Sequence, residues 1–379
     1  MKIALVHELL TMKGGAERVL RIAADMFPDA PIYTLLYNEK KLGDWFPKER
    51  VKTSSIQDSG FRIPDSEIFF NHHLHLTKFP EAIEQWDFSD FDLVLSFSSA
   101  FAHGIITNGR PKHISYIHSP ARYLWDRTHD VLKDAGKGIF GPLKRKYLEH
   151  TFHNLRIWDC EAAARPDKLL AASKEVQRRI ELYWRRESDV VYPPVDDHWL
   201  KTNTTVTESR GSPLQSDNYF LIVSTLVPYK RIDIAIEAAN KGNLKLKIVG
   251  DGPDKSRLEK LACPTVEFLG YNNHDEIKEL YKNAHATIFP GDEDFGLVPI
   301  ESMSQGTPVI AYKKGGALET VTEGVTGLFF KNPTADSLLA VAKKLESYNF
   351  DFNKLKSQAE KFSSERFEEE ITKAVDELL

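Results

Sequence analysis

The sequence predicts an α/β protein built from two doubly wound parallel-sheet domains. Three observations carry that expectation. Short apolar runs alternate with helix-period patterns along the whole chain. A polar, turn-rich stretch from Val195 to Asn218 divides this alternation in two. Glycine-bearing turns recur at the ends of successive apolar runs, as they do where strands of an open sheet meet a ligand. At 379 residues the chain is long for one domain and comfortable for two.

In the first half, strands are expected at Lys2–Val6, Ile32–Leu36, Leu93–Ser96, His113–Ile117 and Lys168–Ala171, with a short one near Val190. Helical patterns fall on Ala16–Met26, Leu143–Ala164 and Glu175–Tyr183. Residues 1–195 therefore form one domain, 196–218 a linker, and 219–362 a second domain. Within the second, strands are expected at Tyr219–Val223, Leu244–Val249, Val266–Leu269, Ala286–Phe289 and Pro308–Ala311, with a short run at Gly327–Phe329. Helices are expected at Ile232–Ala239, Asp275–Tyr281, Ile300–Ser304 and Thr334–Leu345, and the tail from Asp351 reads as helical and charged.

Composition narrows the function. Hydrophobic content of 41% and charged content of 28% are ordinary for a globular protein, and the net charge of -5 argues against general nucleic-acid affinity. The two cysteines, Cys160 and Cys263, offer neither a disulfide framework nor zinc-ligand spacing, which points to a reducing cytoplasm. The opening MKIALVHELL reads as a strand and not a signal peptide, and no run approaches the ~20 apolar residues that span a bilayer. Zinc motifs, a nucleophile elbow and a phosphate loop ending in Gly-Lys-Ser/Thr are absent, so no metal site is expected.

The densest chemistry lies in FPGDEDFGLVPIESMSQGTPVIAYKKGGALE, from Phe289 to Glu319. Seven residues separate Glu293 from Glu301, and Phe295, Gly296, Leu297 and Val298 are among them. Pro299 suits a first helical turn, which puts Glu293 on a loop leaving a strand tip and Glu301 one turn into a helix. The pair thus brackets backbone N–H groups that favour an anion, an arrangement for a sugar and a ribose on either side of a diphosphate. Lys230 and Arg231 follow the first strand of the second domain, where two cations oppose a helix dipole unless an anion joins them; the other reading is a solvated basic pair. Gly14 and Gly15 follow the first strand, either for close approach to a ligand or as a plain tight turn. His118 ends a strand, either as a ligand contact or as a satisfied histidine.

Gly250-Asp251-Gly252, Gly270-Tyr271 and Gly315-Gly316-Ala317 end further strands. Asp90-Phe91-Asp92 leads straight into an apolar strand and reads as structural, and His72-His73-x-His75 reads as loop or partner surface.

With these residues assembled, the chain resembles family 4 of the retaining, nucleotide-sugar-dependent glycosyltransferases, whose GT-B fold sets two Rossmann-like domains face to face. The resemblance is strongest from Tyr219 to Gly327, and Leu226 to Arg231 and Gly315 to Glu319 look most like mannosyltransferase-type enzymes of bacterial surface polysaccharides and lipopolysaccharide. It implies that helix 363–379 crosses back to the first, acceptor-binding domain, and that 219–362 binds the donor. By the same resemblance Glu301 would hold the donor ribose, Glu293 the transferred sugar, and backbone N–H groups from Phe295 to Val298 the phosphates. Lys230 would neutralise the leaving diphosphate, His118 would reach the sugar from the other domain, Gly14 and Gly15 would approach the donor, and Gly270 and Tyr271 would lie near the base. Where many relatives have an arginine five residues before this lysine, the chain has Thr225, with Arg231 as a neighbouring substitute.

The expected reaction is metal-independent transfer of a hexose, mannose from GDP-mannose by resemblance, to a saccharide acceptor, with the nucleotide-diphosphate sugar as co-substrate and no other cofactor. The segment Lys137–Trp158 sets basic residues among aromatics, either as a peripheral contact with anionic membrane, useful for a lipid-linked acceptor at the inner face of the cytoplasmic membrane, or as a core helix with one solvated face. An epimerase of the same architecture and a non-catalytic sugar-nucleotide-binding subunit are the rival classes.

Overall fold

In the computed structural model, residues 1–58, 75–201 and 219–379 are described. They form two compact units: Met1–Tyr192 with Glu368–Leu379, and Pro193–Phe367. His72, His73 and the linker residues 202–218 lie outside the described residues.

The first unit carries β1 (Ile3–Leu10), β2 (Ile32–Tyr37), β3 (Val51–Thr53), β4 (Leu93–Ser98), β5 (Lys112–Ile117), β6 (Lys168–Ala171) and β7 (Asp189–Val190). They form one parallel sheet in the order β3-β2-β1-β4-β5-β6-β7. The second unit carries β8 (Phe220–Val223), β9 (Leu246–Val249), β10 (Val266–Gly270), β11 (Ala286–Phe289), β12 (Val309–Tyr312) and β13 (Gly327–Phe330). Its order is β10-β9-β8-β11-β12-β13, again all parallel. In both sheets the order reverses beside the first strand, between β1 and β4 and between β8 and β11. Loops leaving such a pair of strands diverge to opposite faces and open a crevice at their carboxyl ends.

Strands buried on both faces read as unbroken apolar runs, which is why IALV of the first strand and FLIV were visible as strands. Helices cover the sheets with one apolar stripe each; in Gly15–Met26 the buried set includes Val19, Leu20, Ile22 and Ala23. Ser173 and Asn273 cap the helices that follow them, and Glu276 completes a capping box with Asn273. The second core packs Ile222, Ile236, Ile248, Ile288 and Leu338 around its sheet. Asp92 accepts from the backbone N–H of Lys2 at 2.6 Å, the structural role expected of that carboxylate.

Several expectations need correction. The first strand continues past Val6 to Leu10, and the helix Lys255–Leu261 and strand β3 were not anticipated. Pro193–Val195 belong to the second unit and not the first, the Val195 N–H donating to the Phe362 carbonyl at 2.8 Å, and Asp196–Lys201 are packed structure of that unit and not linker, with Asp197–Leu200 helical and Trp199 buried. At the other end of the chain, Glu377 pairs with Lys168 at the foot of β6 at 2.6 Å, which fastens the last helix (Ser364–Asp376) to the first unit's sheet.

Within the first sheet, His113 is fully buried, its Nε2 2.8 Å from Ser96 Oγ, which in turn donates to Ser115 Oγ at 2.8 Å. Burial, and then the nearby His103, lower its pKa to about 3. An unfolded-chain imidazole takes its proton near pH ~6.5. The stability that neutral His113 contributes is therefore complete above that value and declines by roughly 1.4 kcal/mol per pH unit as pH falls toward about 3. In NMR titrations the His113 ring should stay flat from about pH 8 to about pH 5; a His113 midpoint near ~6.5 would overturn this reading.

Candidate functional site

In the second unit the chemistry gathers where β8 and β11 diverge. The loop after β8 turns through Pro228–Lys230, and the loop after β11 runs from Pro290 into the helix Val298–Ser304. Lys230 Nζ and Glu293 Oε2 form an ion pair whose side chains are only 18% and 16% exposed. Burial alone would pull the ammonium pKa down, but the Glu293 carboxylate, with Tyr229 and Asp294 beyond it, outweighs this and holds Lys230 above the usual lysine value. Lys230 is thus a fixed positive charge.

Glycines let the loops meet this closely. A Cβ on Gly291 would press on the Lys230 backbone, one on Gly315 would run into the Glu293 carbonyl, and one on Gly316 into the Phe295 backbone. Gly316 N–H donates to that Glu293 carbonyl at 2.9 Å. The Gly315-Gly316 turn after β12 is therefore the floor under Glu293. Lys314, just before it, pairs with Asp292 at 3.0 Å.

Glu301 sits in the first turn of Val298–Ser304, buried, its Oε2 accepting from the Tyr281 hydroxyl at 3.2 Å. Ile300 and Glu301 N–H groups both donate to the Leu297 carbonyl at 2.9 Å, so residues 296–298 precede the helix's first donors. The Phe295 ring turns inward onto Phe362, at 5.4 Å between centroids. Gly270 has φ +68 at the end of edge strand β10, and Tyr271 beside it is 87% exposed. Arg231 behaves differently from Lys230. It adopts a left-handed conformation before the helix Ile232–Gly242 and gives its guanidinium to Asp233 at 3.2–3.4 Å. It does not replace the charge missing at Thr225.

In the first unit, Gly14 precedes the helix Gly15–Met26, and its N–H donates to Glu17 Oε2 at 3.0 Å. Glu17 Oε1 lies 3.6 Å from Nε2 of buried His7, whose Nδ1 donates to the Phe97 carbonyl at 3.1 Å. His118 directly follows β5, its ring edge-on to His7 at 6.3 Å between centroids. Burial and then His7 lower its pKa to about 3, so it is neutral near pH 7, and its Nε2 has no hydrogen-bond partner among the described residues. The crevice between β1 and β4 is occupied from within. Glu8 Oε1 accepts from the N–H groups of Ser99, Ala100 and Phe101 at 2.6, 2.5 and 2.9 Å, and from Ser98 Oγ at 3.1 Å. The cradle that could hold an external anion already holds a carboxylate.

Sequence reasoning missed Tyr281, Glu8, His7 and Glu17 as parts of these sites. Only Glu17 left a local signal, since a Glu three residues after a helix-capping position reads as half a capping box.

The fold and these sites first define a class. The two-unit parallel α/β architecture is the GT-B one. It aligns over 100% of both chains with a lipopolysaccharide outer core galactosyltransferase (TM-score 0.66, 18% identity) and with Anabaena HepE in complex with UDP (TM-score 0.67, 18% identity). Residues 207–362 then match the family model described as Glycosyl transferases group 1, which places the family signature in the unit that carries Lys230, Glu293 and Glu301. An uncharacterized glycosyltransferase of Methanocaldococcus jannaschii is 27% identical over 182 residues, 47% of this chain and 49% of that protein. A GDP-mannose-dependent alpha-mannosyltransferase of Mycobacterium tuberculosis is 37% identical over 107 residues, 28% of each. The chain thus spans half or less of the length of these curated relatives.

Gly315→Ala tests the floor under Glu293. It should lower stability by about 2 kcal/mol or more, because the side chain meets both a positive φ and a carbonyl, whereas Gly109→Ala, with φ +72 and open space, should lose about 1 kcal/mol. Denaturant midpoints for the two variants decide it; equal losses would remove the close contact from the account.

Proposed function

We propose that this chain is a retaining, metal-independent hexosyltransferase that uses a nucleotide-diphosphate sugar. The observation that carries the reading is the Lys230–Glu293 ion pair at the carboxyl ends of β8 and β11, inside the stretch that matches the glycosyltransferase family. GDP-mannose is the proposed donor, on the strength of the named mannosyltransferase relative. The proposed acceptor is a saccharide, carried on a lipid in bacterial surface polysaccharide or glycolipid synthesis, in keeping with the likeness to a lipopolysaccharide galactosyltransferase. The proposed place of action is the cytoplasm, at the inner face of the cytoplasmic membrane.

In this mechanism the donor diphosphate takes Lys230 from Glu293. Neither charge is stranded, because the freed carboxylate turns to the hydroxyls of the transferred sugar. Glu301, oriented by Tyr281, holds the ribose, and backbone N–H groups of residues 295–298 meet the phosphates. Gly270 and Tyr271 receive the base. Gly14 and Gly15 let the backbone approach substrate, and neutral His118 offers Nε2 to a sugar hydroxyl. The anomeric C–O bond breaks with its electron pair going to the diphosphate, whose growing charge Lys230 stabilises. The acceptor oxygen attacks the same face, and its proton passes to the departing phosphate oxygen, so configuration is retained.

Four outcomes are expected. Lys230→Ala should cut kcat/KM by about 10²–10³-fold while shifting Tm by less than about 4 °C; native turnover in this variant would sink the mechanism. EDTA dialysis should leave the rate unchanged, and a loss restored by added Mg²⁺ or Mn²⁺ would refute metal independence. In a thermal-shift panel of GDP-, UDP-, dTDP- and ADP-sugars, GDP-mannose should raise the midpoint most. With that donor, slow hydrolysis and transfer with retained anomeric configuration are expected by NMR; interconversion of the sugar without hydrolysis would favour the epimerase, and binding without either reaction the non-catalytic subunit.

A further inference from the structure

The long helix Gly141–Ala162 is two surfaces in sequence. Its second half is core: Thr151, Phe152, Leu155, Asp159 and Ala162 are buried, and Trp158 donates to Glu84 at 2.7 Å. Its beginning, with the turn before it, faces outward. Ile139 is 94% exposed, Phe140 78%, Leu143 71% and Tyr147 58%. Three of the four most exposed large apolar side chains among the described residues therefore fall within five positions of one another. Leu143 and Tyr147, one helical turn apart, share a face.

This tip is built, not frayed. Gly141 is buried so tightly on Gly136 that a Cβ there would strike its backbone, its N–H donates to the Gly138 carbonyl at 3.0 Å, and Gly138 takes φ +84. Pro142 starts the helix. A rigid glycine turn thus holds Ile139 and Phe140 out in water, where an apolar pair of this size has no reason to be unless something covers it.

Charge says what the cover is. From Lys133 to Glu149 the chain has five cations (Lys133, Lys137, Lys144, Arg145, Lys146) against two carboxylates, a local +3 in a protein of net charge -5. Asp134 pairs with Lys137 at 2.6 Å and Glu149 with Arg145 at 2.8 Å, both at the surface, which leaves Lys144 and Lys146 as the net excess beside the apolar residues. Lys144, Arg145 and Lys146 surround the apolar residues, and long basic side chains reach headgroups while their stems lie on the acyl boundary. A second copy docking through the same patch would set +3 against +3.

We propose that residues 137–147 are a docking tip for an anionic phospholipid bilayer, with Ile139, Phe140, Leu143 and Tyr147 entering the interface and Lys137, Lys144, Arg145 and Lys146 engaging the headgroups. The contact surface is shorter than the 137–158 span anticipated from sequence, because Phe152 and Trp158 belong to the core. No helix among the described residues is long and apolar enough to cross a membrane, so this contact is peripheral. It stands apart from the donor chemistry of the second unit.

Flotation with vesicles tests it. The full chain should float with phosphatidylglycerol/phosphatidylcholine vesicles, poorly with phosphatidylcholine alone, and be released at about 0.5 M salt. Lys144→Ala with Lys146→Ala should weaken partitioning about 25-fold, at roughly fivefold per cation. Ile139→Glu with Phe140→Glu should abolish it. Because all four side chains are exposed, neither variant should move Tm or the thermal shift given by a nucleotide sugar, which separates failure here from failure of the transferase reading. Equal flotation on neutral vesicles, unaltered flotation of the variants, or a sedimenting dimer that Phe140→Glu dissolves without any vesicle binding would each overturn the proposal.

Discussion

Placing an ammonium and a carboxylate together where β8 and β11 part is the constraint on which the second unit is organised. Side chains only about one-sixth exposed keep little of their hydration, so each charge needs the other. Bringing them together requires two loops from adjacent strands to touch through backbone, and each contact uses a residue without a side chain. Gly291 lies on Lys230, Gly315 and Gly316 lie under Glu293 and Phe295, and Gly250 and Gly252 lie under Ser224 and Leu226, which lead to Lys230. The glycine turns that recur along the sequence are therefore one device seen several times. They bring successive loops of a single sheet close around one ion pair.

The first unit has the same strand-order reversal and resolves it in the opposite way. Between β1 and β4 the loop N–H groups converge as they would on a phosphate, but Glu8 supplies the anion from within. Its carboxylate fixes the start of the Ala102–Gly104 turn and closes that crevice to an outside diphosphate. His118 is kept uncharged by burial, and the Gly14 turn is held by Glu17. Two sheets of one topology thus treat the same reversal differently, with a carboxylate filling it in the first and an ion pair standing at it in the second.

Much of this was legible in the sequence because parallel strands covered on both faces cannot alternate; they appear as apolar runs, and both sheets were found that way. Boundaries slipped where length or burial was atypical. β3 has three residues, too few for a pattern, and Lys255–Leu261 buries only Leu258 among its seven residues. The polar texture after Val195 was read as linker, yet Trp199 is buried with its carbonyl accepting from Gln305 at 2.9 Å. One large aromatic outweighed its polar neighbours. Within the sites, Lys230 and Glu293 stood out because strand ends can be counted. Tyr281 and Glu8 did not, since their partners lie 20 and about 90 positions away and nothing local marks such a pairing.

Charge balance links the ion pair to the proposed chemistry. Asp292 has Lys314, Glu293 has Lys230, and Arg231 is committed to Asp233. A diphosphate entering this loop cluster adds negative charge where Thr225 supplies none to oppose it. Lys230 is the cation already held at the spot, and its raised pKa keeps it charged whichever anion it faces. Transfer of Lys230 from carboxylate to phosphate leaves Glu293 ionised and in need of donors, which the hydroxyls of a sugar provide and a bare nucleotide does not. Under the proposed chemistry the carboxylate is satisfied only when the whole donor is bound, so the exchange of Lys230 between Glu293 and phosphate would discriminate the sugar nucleotide from its product.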